Sequence, residues 1–217
     1  TFAIIGSTGS GKSTIMNLLM RFYDATSGEI LYDNINIKDL KLEPFYDKIG
    51  YIPQKSTLFA GTVKHNVFYS AKDLSDENLE KALTVSQSKE FVEKLDGKTE
   101  FMVSQGGNNL SGGQKQRLCI ARALAKNPEF LFFDDSFSAL DFKTDKQLRQ
   151  ALKENYDGTT KVIVAQRIGT IMDADKIMVL NEGKIIGLGT HKSLMKNCDV
   201  YKELAYSQLS KEELEND

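Results

Sequence analysis

Two cysteines, two histidines and a net charge of −2 in 217 residues leave several common functions without their raw material. Cys119 and Cys198 are far apart and lack a CxxC neighbour, so neither a disulfide framework nor a cysteine metal site is expected, and a reducing, cytosolic setting is the default. The 28 basic residues are matched by 30 acidic ones without a long basic block, which argues against a nucleic-acid partner. No stretch approaches the ~18 apolar residues of a membrane-crossing helix; the longest apolar runs are short, such as Phe130 to Phe133. Internal repeats and low-complexity segments are lacking too. His65 and His191 are both expected to be ordinary surface or packing residues, and Cys119 to pack as a small apolar side chain. Lys115 and Arg117 are expected to be solvated helix positions.

What the chain does have is alternating apolar strands and helices, the pattern of an α/β core with a parallel sheet. Strand Phe2 to Ile5 leads into a glycine-rich loop and a helix from Lys12 to about Phe22. Glu29 to Ile37 reads as a hairpin about Asp33-Asn34. Strands are expected at Ile49 to Ile52, Phe130 to Phe133, Lys161 to Val164, Lys176 to Leu180 and Lys184 to Ile186, with a helix from about Thr144 to Asn155. Between residues 62 and 126 helical spacing dominates, with Leu79, Ala82 and Leu83 on one apolar face and Phe91, Val92 and Leu95 on another. The expected organisation is a single domain: a core of 1–61 and 127–190, a helical subdomain of 62–126, and a helical, increasingly acidic tail of 191–217. Because the chain opens directly on a buried strand, it reads as part of a longer polypeptide.

Gly6-Ser7-Thr8-Gly9-Ser10-Gly11-Lys12-Ser13, followed by Thr14, fits a phosphate loop. Its glycines let backbone N–H groups approach phosphate oxygens, Lys12 meets the outer phosphates, and the Ser13 hydroxyl is a Mg2+ ligand. The flanking strand and helix favour this over a plain glycine turn. Phe130-Leu131-Phe132-Phe133-Asp134-Asp135 is a buried strand that delivers two carboxylates to a sheet edge, where ligands bind in such folds. Asp134 is the candidate Mg2+ holder, directly or through water. Alone, an apolar strand ending in Asp is usually structural; with the phosphate loop it points to a nucleoside triphosphatase using ATP and Mg2+.

Leu110-Ser111-Gly112-Gly113-Gln114, followed by Lys115-Gln116-Arg117, resembles the signature sequence of ABC-type ATPases. Gln54 after Pro53 is similar to that family's Q-loop, a catalytic and Mg2+-ligating position, and Ser138-Ala139-Leu140-Asp141 to its D-loop, which adds Asp141 to the nucleotide-contacting set. The resemblance covers nearly the whole chain and implies a P-loop NTPase core of RecA type, with an antiparallel β portion and an inserted helical subdomain. It also implies a head-to-tail dimer with a second ABC ATPase domain, each ATP lying between one chain's phosphate loop and the other's Ser111 to Gln114 counterpart. Tyr51-Ile52-Pro53-Gln54 through Leu58-Phe59-Ala60-Gly61-Thr62-Val63 and Asn66, with Gly189-Thr190-His191-Lys192-Ser193-Leu194, resembles the exporter type, whose ATPase domain is fused to a transmembrane domain on the cytoplasmic face of the membrane. The segment after Gln54 and Val103-Ser104-Gln105-Gly106-Gly107 then lie near the coupling helices. The adenine-stacking aromatic of the family would precede Thr1, with an N-terminal β segment and the membrane domain.

Three positions depart from that pattern. Gln105 stands where exporters commonly carry Glu, so a hydrogen bond but no ionic contact is expected there. Asp135 replaces the Glu that polarises the attacking water, and its shorter side chain implies slow hydrolysis, by ~100-fold. Gln166, within Val164-Ala165-Gln166-Arg167, replaces the switch His; it can hydrogen-bond the γ-phosphate but cannot become cationic. An intact signature beside an impaired hydrolytic pair implies the degenerate-site half of a heterodimeric, multidrug-type exporter. The alternatives are an importer-type ATPase subunit, a non-hydrolysing regulatory module, and a soluble ABC ATPase of DNA repair or translation, for which a coiled-coil insertion and basic surface are lacking.

Overall fold

A computed structural model describes residues 1–208; residues 209–217, the acidic end of the expected tail, lie outside the described residues. Ten strands occur among the described residues: β1 (Phe2–Gly6), β2 (Leu31–Tyr32), β3 (Ile35–Asn36), β4 (Ile49–Ile52), β5 (Gly61–Thr62), β6 (Met102–Val103), β7 (Phe130–Asp134), β8 (Thr160–Val164), β9 (Lys176–Asn181) and β10 (Lys184–Gly189). The chain divides into two compact units, Thr1–Lys41 together with the chain from Lys161, and Leu42–Thr160.

In the first unit β1 lies between β8 and β9, parallel to both, with Ile4 opposite Val164 on one side and Met178 on the other. Ala3, Ile4 and Ile5 are buried on both faces, as a central parallel strand requires. β9 turns through Glu182-Gly183, at φ 46° and 75°, into the antiparallel β10. That pair of left-handed residues matches the right-handed twist of a hairpin. The β2–β3 hairpin turns at Asp33-Asn34 with φ 48° and 64°, where the sequence places it.

The helix after the phosphate loop is Lys12–Leu19, shorter than the expected run to Phe22. Arg21 takes φ 53°, and its guanidinium donates to the carbonyls of Ile37 at 2.7 Å and Leu40 at 2.9 Å. Tertiary hydrogen bonds from Arg21 therefore override local helix propensity. The described residues end in helices His191–Asn197 and Asp199–Gln208; fully buried Tyr201 pairs its hydroxyl with His191 Nδ1 at 2.7 Å, so His191 is a packing residue.

The second unit pairs β4 parallel with β7, Tyr51 opposite Phe132 and Ile52 opposite Phe133. Helices Val63–Phe68, Asp76–Val85, Lys89–Glu93 and Gly112–Leu124 occupy much of the stretch read as helical, burying Leu79, Ala82, Leu83 and Val92. A small antiparallel ladder, β5 with β6, also lies in that stretch and was not expected. Helix Phe142–Asn155 starts two residues before the expected Thr144, because Asp141 caps it: its carboxylate accepts from the Thr144 backbone N–H at 2.9 Å and hydroxyl at 2.7 Å. None of the helices among the described residues is long and apolar enough to cross a membrane.

Candidate functional site

The phosphate loop leaves the carboxyl end of β1. A Cβ on Gly6 would lie 2.2 Å from the Leu180 carbonyl oxygen, so only glycine fits where the strand enters the loop. Gly9 and Gly11 take φ 80° and 101°, and Gly11, as N-cap, contributes no side-chain cap to helix Lys12–Leu19. The first-turn N–H groups of that helix therefore carry no side-chain oxygen from their cap, and no acidic residue occupies its first turn. Lys12 is buried, its ammonium donating to the carbonyls of Gly6 at 2.8 Å and Ser7 at 2.7 Å. The Ser10 hydroxyl is buried without a hydrogen-bond partner, an orphan beside a loop of backbone donors. Ser7, Thr8, Ser13 and Thr14 are exposed. A helix N-terminus, a held ammonium and the buried Ser10 hydroxyl together have the chemistry of a phosphate receptor.

Gln166 follows the carboxyl end of β8, the parallel neighbour of β1, and is exposed. The first unit thus gathers the phosphate loop and Gln166 at the carboxyl ends of adjacent strands, the edge where ligands bind in α/β sheets.

The second unit gathers the carboxylates. β7 ends on Asp134 and Asp135, both buried, and β4 beside it runs through Pro53 to Gln54. Gln54 Nε2 donates to Asp135 Oδ2 at 3.0 Å. Asp135 adopts φ 48°, a left-handed backbone that is strained for a non-glycine residue, and its carbonyl accepts from the Ser138 hydroxyl at 2.7 Å. Tyr51 hydrogen-bonds Asp134; burial first, and then the Asp134 charge and hydrogen bond, hold the Tyr51 phenol above its usual pKa. No group of three or more His, Cys, Asp or Glu residues that could hold a metal occurs among the described residues. Within this unit a lone aspartate at a strand end is donor chemistry of the kind Mg2+ accepts, because that ion keeps waters and takes substrate phosphates as further ligands.

The signature segment opens helix Gly112–Leu124 with a reciprocal capping box: the Ser111 hydroxyl accepts from the Gln114 N–H at 3.3 Å, and Gln114 Oε1 accepts from the Ser111 N–H at 2.9 Å. A Cβ on Gly112 would meet nothing within 4 Å, and one on Gly113 would lie 3.6 Å from the Ala139 carbonyl oxygen. The D-loop thus passes beside the signature glycines. Asp141 is held below the usual carboxylate range by the Thr144 backbone and side-chain hydrogen bonds, with a smaller contribution from the Arg117 charge.

Arg117 is not the solvated residue expected. Its guanidinium stacks on Phe91 at 4.7 Å and donates to the Gln87 carbonyl at 2.9 Å, and burial lowers its pKa. Cys119 packs in the interior as expected, its thiol pushed up by burial. Gln105 Oε1 accepts from the Ala60 N–H at 3.4 Å, the uncharged contact expected there.

Two side chains were missed by sequence reasoning. Gln116, fully buried, accepts from the Ser56 hydroxyl and donates to the Pro53 carbonyl at 3.5 Å, tying the signature helix to the segment around Gln54. Its position four residues before buried Ile120 was the available signal. Asn66 was read only as part of a family pattern, yet it is a fully buried hub. Its amide donates to the Phe59 and Thr62 carbonyls at 2.9 and 3.1 Å and accepts from Phe59 N–H at 2.9 Å and Arg122 Nη2 at 2.7 Å.

A phosphate receptor after β1 and an acidic strand terminus after β7 define a nucleotide-binding α/β protein of the P-loop NTPase class. The ABC transporter family is matched over residues 1–138. Over 211 residues the chain is 43% identical to an uncharacterised ABC transporter ATP-binding protein of Mycobacterium tuberculosis and 40% identical to the ATP-dependent lipid A-core flippase of Haemophilus influenzae. These alignments cover 96% and 97% of this chain and 36% of each relative. A bacterial Atm1-family ABC exporter solved with ATP bound is similar at TM-score 0.93 and 35% identity, over 97% of this chain and 37% of that one. The chain belongs to the ABC transporter family and is a nucleotide-binding domain of its ATPase type; it spans just over a third of the length of these relatives.

Proposed function

We propose that this chain is the ATP-binding domain of an ABC exporter, working at the cytoplasmic face of a membrane, and that it closes on a second ABC ATPase domain around ATP. Gly6 to Thr14 bind the phosphates, with Lys12 on the outer ones; Ser13, Asp134 and Gln54 hold Mg2+. When bound, that ion neutralises charge developing on the transferred phosphoryl group. Ser111 to Gln114, with Asp141, face the ATP of the second domain, where the amides of Gly112 and Gly113 and the helix N-terminus serve as anion donors. Mutual use of signatures by two such domains accounts for a capping box kept whole on a chain whose own hydrolytic residues depart from the pattern.

Asp135 is the catalytic base candidate and Gln166 the γ-phosphate contact. The observation that carries the reading of a slow, degenerate site is the short Asp135 carboxylate engaged by Gln54 at 3.0 Å. A base that must reach a water beyond its own hydrogen-bond partner gives up about 100-fold in rate for about 1 Å of misplacement. The partner is accordingly an unlike ATPase domain with a full catalytic set, and the fused or associated membrane domain is reached through the segment after Gln54 and around Gln105.

ATP turnover of the whole transporter tests this. With Asp135→Ala most activity is expected to remain, whereas neutralising the acidic residue at the equivalent position of the second domain abolishes it. Loss of turnover in Asp135→Ala would instead make Asp135 a working base and refute the unequal sites. Ser111→Ala separates this from a non-hydrolysing regulatory module, since only a signature that serves the second site makes turnover fall.

A further inference from the structure

We infer that Gln208, on the last described turn of the chain, is a positioning residue for Gln166; the inference rests on the reading of Gln166 as the γ-phosphate contact. Gln208 Oε1 accepts from the Ile168 N–H at 2.8 Å, and Gln208 Nε2 donates to the Gln166 carbonyl at 2.9 Å. One side-chain amide thus grips the backbone on both sides of Arg167, with the donor and acceptor arrangement of a strand edge.

The grip falls where the chain changes from sheet to helix. Ala165 N–H donates to the Ile4 carbonyl at 3.1 Å, the last ladder bond beside the phosphate-loop strand. Helix Ile168–Ile171 begins three residues later, and its N-cap Arg167 gives it no side-chain cap bond. The direction in which the Gln166 side chain leaves the backbone depends on the peptide planes on either side of it. Gln208 fixes the carbonyl of Gln166 and the first N–H of the helix.

The arm that delivers Gln208 is itself anchored. Tyr201 and Ala205 on helix Asp199–Gln208 are fully buried, and Gln208 follows them at the i, i+4, i+7 spacing of one helix face. Tyr201 is tied to His191 at 2.7 Å. Helix Asp199–Gln208 thereby sets the attitude of a nucleotide-sensing residue 42 positions earlier in the sequence. Only glutamine suits both bonds: glutamate lacks the donor for the Gln166 carbonyl, and asparagine is one methylene short.

The test is ATP and ADP binding to the whole protein in Mg2+, read as the ratio of Kd for ADP to Kd for ATP. Gln208→Ala is expected to lower this ratio about fivefold, the worth of one lost hydrogen bond, through weaker ATP binding alone. Gln208→Glu is expected to lower it too, though no further than Gln208→Ala, because its carboxylate keeps the bond to Ile168 and loses only the one to Gln166. In a Gln166→Ala background, Gln208→Ala should add nothing. An unchanged ratio in Gln208→Ala, where Gln166→Ala alone lowers it, overturns the proposal, as does additivity in the double variant. An unchanged ratio in Gln166→Ala overturns the underlying reading of Gln166 and the proposal with it.

Discussion

Lengthening one side chain, Asp135→Glu, isolates the feature on which the slow-site reading depends. The added methylene carries the carboxylate about 1.5 Å farther along the chain, toward the position that a water-polarising base occupies in the resemblance drawn above. Recovering ~100-fold would correspond to about 2.7 kcal/mol of barrier. Against this stands the Gln54 Nε2 to Asp135 Oδ2 bond of 3.0 Å, which the longer side chain must give up or remake. A charge-assisted hydrogen bond of this kind is worth about 1.5 kcal/mol, so the net gain is about 1.2 kcal/mol, or close to tenfold. The strain at Asp135, φ 48°, is common to both residues and cancels in the comparison. The assay is phosphate release at saturating ATP and Mg2+, in a background where the acidic residue at the equivalent position of the second domain is changed to Ala. Turnover at or below that of the same background carrying Asp135 would show that carboxylate reach does not limit hydrolysis here. A further rise on adding Gln166→His would be expected, since an imidazolium supplies the charge that an amide does not.

Asn66→Ala is expected to destabilise the protein by about 3 kcal/mol, because it leaves the part-buried Phe59 carbonyl and N–H, the Thr62 carbonyl and one nitrogen of Arg122 without their partner. Thermal unfolding reads this, and a change within experimental scatter would show that water replaces the amide. Tyr156, whose hydroxyl donates to the Leu124 carbonyl at 3.2 Å, has its pKa pushed up to about 12 by burial from a usual 10.0. A phenol kept neutral by the folded state stabilises fully below pH 10 and progressively less as pH rises through about 12. Urea midpoints measured from pH 9 to about 12 should therefore fall less steeply for Tyr156→Phe than for the unmodified protein; parallel curves would refute the shift.

Much of the site was legible because it is local. A glycine loop between strand and helix, an apolar strand ending in two aspartates, and a Ser-Gly-Gly-Gln helix start each need only consecutive residues, and all three occupy the elements expected of them. What escaped depends on distant partners. Arg21 ends its helix early through carbonyls 16 and 19 residues away. Arg117 was expected to be solvated, but Phe91 and the Gln87 carbonyl that cover it come from another helix and its approach. The β5–β6 ladder joins two-residue strands about 40 positions apart, too short for alternation to show. Gln208 carried a faint hint, an exposed polar side chain in line with buried Tyr201 and Ala205, but nothing local named Gln166 as its target.

Gln116 has a consequence for how the chain tolerates change. Its amide joins Ser56 and the Pro53 carbonyl to the second turn of the helix that Ser111 begins. Substitutions at Ser56 and in the signature turn therefore draw on one shared reserve of order, and their penalties will not sum as independent losses. A sequence drifting at one of these places narrows what it can accept at the other, so the two segments are expected to change in step across descendants of this chain although some fifty residues of sequence separate them.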